Sequence, residues 1–388
     1  MTWDSIHEFE CPTRVFYGWG ASNEVGERLV ELGVTRALLV SDDGVRRAGI
    51  VDAIAEQMRT AGLDVAVYAD AQSNPTIGNV TDAVQVWHEH RSDGIVGLGG
   101  GSSMDCAKGA AIVAANGGSV ADYAGKERIP RDLPPLVCVP TTCGTGSEVT
   151  FNAVITDSDV PRKLGYVSRR LAPRVALVDP ELVLLAPSTV VAATGADALC
   201  HAVESYLNRG ADPLLNAINI GAIRLIGRSL RKAVHDRERE AIAEMALAST
   251  MAGIAFNMNA NAIVHAASTP VTARYGVPHG VANAIFMPAG LAFLAPACVK
   301  RLAEIAEALG ENVARLAEGE AADRGVEAVA GLLADVGLPA SLREFGVDPA
   351  EVDVAALVDD AMTSRNIVTN PRAVTRADLE QLYRTVLQ

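Results

Sequence analysis

Between residues 36 and 140, short aliphatic runs alternate with longer stretches of helical period, and few folds accept that pattern. Residues 36–41 (RALLVS) predict a strand. Over 45–61 the apolar side chains Ile50, Val51, Ile54 and Met58 recur at helical spacing, and Gly62 predicts the stop. Residues 64–68 (DVAVY) predict a second strand, Asn74-Pro75 a turn and 77–90 a helix. A third strand, 94–98 (GIVGL), runs into Gly99-Gly100-Gly101; Ser102 or Ser103 then caps an alanine-rich helix that stops at Gly117-Gly118. A fourth, 136–139, ends in Pro140-Thr141-Thr142. Strand, helix, strand in this order predicts parallel strands joined by crossover helices.

Past Asp179-Pro180 the strand signals fade, and helical stretches such as 215–230, 239–252, 299–309 and 326–336 run towards the C-terminus. The 388 residues therefore read as two domains, an α/β domain over 1–184 and an all-helical domain over 185–388. A hydrophobic content of 49% is enough to fill both cores. The formal charge of -14 argues against a nucleic-acid partner, which would need a basic surface. Six cysteines without a CxxC pair read as reduced thiols of a cytoplasmic protein. The first fifteen residues, MTWDSIHEFECPTRV, lack the apolar core of a signal peptide. Residues 284–297 are apolar but short and contain Pro288 and Pro296, so they read as buried helix and loop, and no membrane partner is expected.

Two segments at predicted strand ends suit a phosphate ligand. Gly99, Gly100, Gly101, Ser102 and Ser103 join a strand to a helix; the glycines admit close backbone approach, and the helix start offers unpaired N–H groups. The same residues would also make a tight turn that binds nothing, and they match neither GxGxxG nor a P-loop. Residues 140–148 (PTTCGTGSE) crowd hydroxyls and glycines onto the end of the next strand, so the two loops can clasp a dinucleotide or serve as polar turns. Asp42 closes the first strand, where a carboxylate accepts from an adenosine ribose and repels a 2′-phosphate, favouring NAD over NADP. Asp42-Asp43-Gly44 is also ordinary turn chemistry.

Of seven histidines, three stand where a cation could use them. Asp197 and His201 are four apart in a helical stretch and share a face, and His265 and His279 follow in residues 261–288. One carboxylate and three imidazoles make a reasonable set for Fe(II), or for Zn(II), with a coordination position left open. Each fragment alone more often means histidines satisfied inside a core than a metal site.

Four motifs, GGGSSMDCAK (99–108), PTTCGTGSEVT (140–150), GADALCHAVESY (195–206) and VHAASTPVTARYGVPHGVANAIFMP (264–288), resemble the iron-containing (group III) alcohol dehydrogenases in order and separation. The resemblance spans nearly the whole chain. It implies an α/β N-terminal dinucleotide-binding domain with a parallel sheet and an all-α C-terminal metal-binding domain, a dehydroquinate synthase-like architecture. It further implies hydride transfer between a small alcohol or aldehyde and NAD(H); separately, a homodimer or larger homo-oligomer is expected. By position, Asp197, His201, His265 and His279 match the family's metal ligands, and Gly99 to Ser103 its pyrophosphate loop. Thr141, Thr142 and Ser147 match residues lining the cofactor pocket, and Lys163 a lysine near the cofactor ribose. Asp42 matches the aspartate of NAD-preferring members, and Phe256 an aromatic wall of the substrate pocket.

One departure stands out. Many members carry His-x3-His at the third ligand, whereas here Thr269 follows His265 at that spacing. A hydroxyl passes a proton but is no base near neutral pH, so water, Thr269 or the cofactor ribose would carry the proton beside the catalytic pair His265 and His279. Arg274 nearby suggests an anionic aldehyde as a substrate variant. The competing readings are a dehydroquinate-synthase-type lyase, a metal-free maleylacetate-type reductase and a non-enzymatic nucleotide-binding protein.

Overall fold

The computed structural model describes residues 6–158, 162–210 and 212–388. Residues 1–5, on which part of the signal-peptide reading rests, lie outside the described residues. The chain divides into two compact units, Cys11–Ala186 and Pro187–Gln388, the second joined by residues 6–10.

The first unit is built on a parallel six-stranded sheet. Its strands and those of a smaller sheet are β1 (Arg14–Tyr17), β2 (Arg36–Val40), β3 (Asp64–Tyr68), β4 (Gly94–Gly99), β5 (Gly125–Lys126), β6 (Leu136–Pro140), β7 (Asn152–Asp157), β8 (Arg162–Val167) and β9 (Val175–Val178). The large sheet runs β1-β9-β6-β4-β2-β3, and every pairing in it is parallel. Its four inner strands are almost continuously buried, which is why they read as unbroken aliphatic runs rather than alternating ones. The helices are α1 (Val25–Glu31), α2 (Asp43–Arg47), α3 (Ile50–Thr60), α4 (Ile77–His90), α5 (Gly101–Asn116) and α6 (Pro180–Leu184). Leu29, Ile54 and Met58 from α1 and α3 pack with Leu39, Val96 and Val137 of the sheet in one buried core. A fully buried leucine of this kind contributes about 1.5–3 kcal/mol.

The helix expected over 45–61 is two, because Gly49 takes a left-handed φ of 76° and separates α2 from α3. Strands β1 and β9 and the three-stranded sheet β5-β8-β7, with its antiparallel β7–β8 pair, lie outside the four predicted strands. Their runs are short, and those of β7 and β8 are mixed with charge.

The second unit contains α7 (Ser188–Leu207), α8 (Pro213–His235), α9 (Arg239–Asn259), α10 (Ile263–Tyr275), α11 (His279–Ala308), α12 (Glu318–Asp335), α13 (Leu342–Phe345), α14 (Val354–Met362), α15 (Asn366–Thr369) and α16 (Arg376–Val386). Helix α7 packs against α8, α9 and α11, and α10 against α11. Helices α9 and α11 are long and apolar enough to cross a membrane by length and composition, contrary to expectation, yet more than half of each is buried in the protein. The prolines that suggested a loop sit inside α11, which bends at Cys298 (φ -131°) just after Pro296.

Candidate active site

Helix α7 is where the second unit's polar chemistry concentrates. Asp197, His201 and Glu204 recur at helical spacing on one side of it and are all buried. His265 is the third residue of α10 and His279 the first of α11. The approach of α11 depends on Gly280: a Cβ there would stand 2.1 Å from the Ala193 carbonyl oxygen and 3.4 Å from Asp197 Cβ. Only glycine lets the start of α11 lie this close to α7, and that closeness carries His279 to the aspartate.

Asp197 Oδ1 lies 3.8 Å from His265 Nε2, 3.8 Å from His279 Nε2 and 3.9 Å from His201 Nδ1. The ligand atoms of Asp197, His265 and His279 all fall within 4.8 Å of one another. Those separations, and a donor set of one carboxylate with imidazoles, fit a borderline divalent cation at bond lengths of about 2.0–2.2 Å. His201 stands beside the same oxygen but outside this mutual set, stacked between Phe256 (4.2 Å, 14°) and His265 (4.6 Å, 26°). Phe256 thus covers a face of a candidate ligand. Of the four, His279 is the one open to solvent, its side chain 34% exposed.

Burial by itself would raise the Asp197 carboxyl, but His201, His279 and His265 around it and the Asn283 amide reverse that and hold it below its ordinary value. Asn283 was not foreseen. Its Nδ2 donates to Asp197 Oδ1 at 2.7 Å and lies 3.2 Å from Nε2 of both His265 and His279, while Ser268 donates to its Oδ1. Its one sequence signal is the four-residue step from His279. Thr269 donates its hydroxyl proton to the His265 carbonyl, 2.7 Å away, leaving its oxygen as an acceptor. Arg274 pairs with Asp360 at 2.7 Å, so its charge is compensated and gives no support to an anionic substrate.

In the first unit the two loops expected to act together are neighbours, since β4 pairs with β6 and the Thr141 amide donates to the Gly99 carbonyl at 3.0 Å. They sit at the carboxyl ends of the strands. The chain leaves β2 for β3 on one side and β4 for β6 on the other, so the β2–β4 crevice is the topological switch point where such sheets bind ligands. Gly99 takes φ 139°, and a Cβ there would meet Ser103 Oγ at 2.6 Å and Asp42 Oδ2 at 3.0 Å. Gly100 is the N-cap of α5 and supplies no side chain to the first-turn N–H groups of Gly101, Ser102 and Ser103, leaving the positive end of the helix for an anion.

Asp42 is already engaged on both oxygens: Val45 N donates to Oδ1 at 3.0 Å and Ser103 Oγ to Oδ2 at 2.7 Å. Ser102 Oγ accepts from Asn74 N at 3.2 Å, and Lys163 Nζ donates to Asn74 Oδ1 at 2.9 Å. Burial pulls the Lys163 ammonium below its ordinary range, with Asp105 opposing. The Thr142 hydroxyl is buried without a hydrogen-bond partner among the described residues, which leaves it for a ligand. Ser147 is committed inward, donating to Asp105 Oδ1 at 2.9 Å and accepting from Lys108 Nζ at 3.0 Å. Lys108, fully buried, also donates to the carbonyls of Ser147, Thr150 and Asn152 and so ties the second loop to α5. Asp105 and Lys108 lie inside the GGGSSMDCAK motif one helical turn apart, a spacing that could have revealed them.

Comparison with known proteins agrees with this layout. Residues 12–180 match the iron-containing alcohol dehydrogenase family, and residues 191–387 match the C-terminal domain of the Fe-containing alcohol dehydrogenase family. The chain is 40% identical to the NAD-dependent methanol dehydrogenase of Bacillus methanolicus over 98% of its own length and 99% of the relative's. It is 41% identical to the 1,3-propanediol dehydrogenase of Citrobacter freundii, covering 98% of both chains. The crystal structure of a 1,3-propanediol oxidoreductase superposes with a TM-score of 0.95 at 39% identity, over 99% of this chain and 100% of that one. The chain belongs to the iron-containing alcohol dehydrogenase family.

Proposed function

We propose that this enzyme interconverts a small alcohol or diol and its aldehyde with NAD(H), on a divalent cation held by Asp197, His201, His265 and His279. Iron is the first choice and zinc the alternative. The observation that carries the reading is Asp197 Oδ1 with three imidazole nitrogens at 3.8–3.9 Å. The relatives named for methanol and 1,3-propanediol support a short, uncharged substrate. NAD is supported by the similarity to an NAD-dependent methanol dehydrogenase and by the half-buried Asp42 beside the glycine loop.

A cation in that site supplies a Lewis acid for the substrate oxygen, and the nicotinamide supplies the hydride acceptor. The protein's own residues set the geometry. Ser268 fixes Asn283, and Asn283 fixes the Asp197 oxygen, so the carboxylate cannot swing away from the imidazoles. Phe256 shields the His201 ring, and the open side at His279 gives substrate its way in. Thr269 offers an acceptor that can orient a substrate hydroxyl while a water or the cofactor ribose carries the proton. On the other unit, the α5 N-terminus takes the pyrophosphate, with Ser102, Thr141, Thr142 and Lys163 around it. Cytoplasmic residence, which six cysteines outside any disulfide support, and assembly into a homodimer or larger oligomer are parts of the same proposal.

The test is metal analysis of the purified protein together with absorbance at the reduced-nicotinamide band on a panel of short alcohols, diols and aldehydes. Wild type should carry a transition metal and change NADH stoichiometrically with product, and His279→Ala should lose both. Turnover without net NADH change would establish the lyase instead. Full activity in metal-free protein would establish the metal-free reductase.

A further inference from the structure

We propose that Glu204 is a positioning residue for the metal centre: its carboxylate holds the Nδ1–H of His265 and so fixes the tautomer whose Nε2 lone pair faces Asp197 and His279. The inference rests on the metal reading above and extends it to a residue that touches neither cation nor substrate.

Glu204 is fully buried. Its Oε1 accepts from Val264 N at 2.6 Å, and its Oε2 accepts from His265 N at 3.2 Å and approaches His265 Nδ1 at 2.6 Å. Helix α10 has an alanine, Ala262, at its N-cap and no cap bond of its own. Its first three N–H groups are met from elsewhere, Ile263 by Asn370 Oδ1 at 3.1 Å and the next two by Glu204. One carboxylate therefore anchors the backbone of α10 and the ring that α10 carries. A buried carboxylate needs such compensation, and the helix N-terminus provides it. With both oxygens engaged by backbone donors, Glu204 cannot rotate away, and an acceptor this close to Nδ1 requires the proton there. Nε2, 3.8 Å from Asp197 Oδ1 and 3.2 Å from the Asn283 amide nitrogen, then carries the lone pair.

Cys200, Glu204 and His265 also lie close enough together to suggest a second cation site. The distances decide against it. Two ligands sharing a tetrahedral zinc stand about 3.3 Å apart, whereas Glu204 Oε2 and His265 Nδ1 are 2.6 Å apart, a hydrogen bond with no room for an ion. The group is the support behind one ligand.

Carboxylate partners of metal-bound histidines raise metal affinity by about 10- to 100-fold. Apo-protein titrated with Co(II), read by the visible absorption of the bound ion and by chelator competition, should therefore show a Kd weaker by about 10- to 100-fold in Glu204→Gln than in wild type. An amide has one acceptor oxygen, so its NH2 must face either the Val264 N–H or the His265 pair, and the two donor sites can no longer both be met. Asn370→Ala serves as the control: it removes a cap from the same helix end without touching the imidazole, and should lower thermal stability with Co(II) affinity unchanged. Equal affinity in Glu204→Gln and wild type, or equal weakening in both variants, would overturn the role. A wild type that binds no Co(II) would overturn the metal reading and this inference with it. Should Glu204→Gln fail to fold, ¹⁵N-histidine NMR of metal-free wild type decides: His265 protonated at Nδ1 supports the proposal, and protonation at Nε2 sinks it.

Discussion

At the scale of single residues, the candidate metal ligands were legible because their chemistry is rare in this chain. Seven histidines in 388 residues, three of them in motif positions around one aspartate, leave few combinations. The residues that hold those ligands were not legible. Glu204 and Asn283 are common residue types, and what marks them is a contact across 61 and 86 residues of chain. Ser147 is the converse case, a plausible cofactor hydroxyl that the fold turns inward onto Lys108 and Asp105. Thr269 stands where the family resemblance implies a second histidine, and its hydroxyl proton is spent on the His265 carbonyl. On the proposed reading it offers an acceptor, and another group carries the proton away. Thr269→Val should accordingly lower kcat/KM by less than about 10-fold, whereas loss of a true general acid–base group costs about 10²- to 10⁴-fold. Steady-state kinetics on the best alcohol of the panel measures this, and a loss beyond a hundredfold would restore Thr269 as the relay.

Among elements, the central strands β2, β4 and β6 announced themselves because burial on both faces forces unbroken aliphatic sequence, whereas β9, equally buried but only four residues long, did not. The edge strand β1 and the small sheet did not, since half-exposed strands tolerate mixed residues and their pairing is set by partners far along the chain. Helix α11 shows the same limit. Two prolines read locally as a break, while packing against α7, α10 and α12 keeps the helix running and absorbs them as a bend at Cys298. The contact that matters most for the site is the start of α11 on α7, and no periodicity reveals it. It rests on the missing side chain of Gly280. Gly280→Ala places a methyl 2.1 Å from a backbone oxygen, so α11 must shift, with His279 next to the point of strain. The expected result is a loss of about 1–3 kcal/mol in stability, as for other overpacked interiors, together with reduced metal content. Denaturant melts and metal analysis test it; a variant with wild-type stability and full metal occupancy would show that this approach does not position the ligand.

On the scale of the whole molecule, the division of labour follows chain order. The dinucleotide loops all lie within Cys11–Ala186, and the four candidate ligands within Pro187–Gln388, on α7, α10 and α11. On the proposed reading an ion would cross-link these three helices, which makes metal binding a local stability term for the second unit. A ligand that binds only the folded state adds RT ln(1 + [L]/Kd), about 2.7 kcal/mol at a hundredfold excess over Kd. Hydrogen exchange resolves that term along the chain. Removing the metal with a chelator should speed amide exchange by up to about 100-fold in peptides covering α7, α10 and the first turns of α11, where opening breaks the site. Peptides from β2, β4 and β6 should exchange at unchanged rates, because their core of Leu39, Val96 and Val137 draws nothing from the ion. Adding NADH to the metal-free protein should give the opposite map, protecting the segments around Gly99–Ser103 and Thr141. If chelation instead loosens both units equally, or the sheet more than α7, then the cation is not gripped by these helices, and the assignment of Asp197, His201, His265 and His279 fails with it.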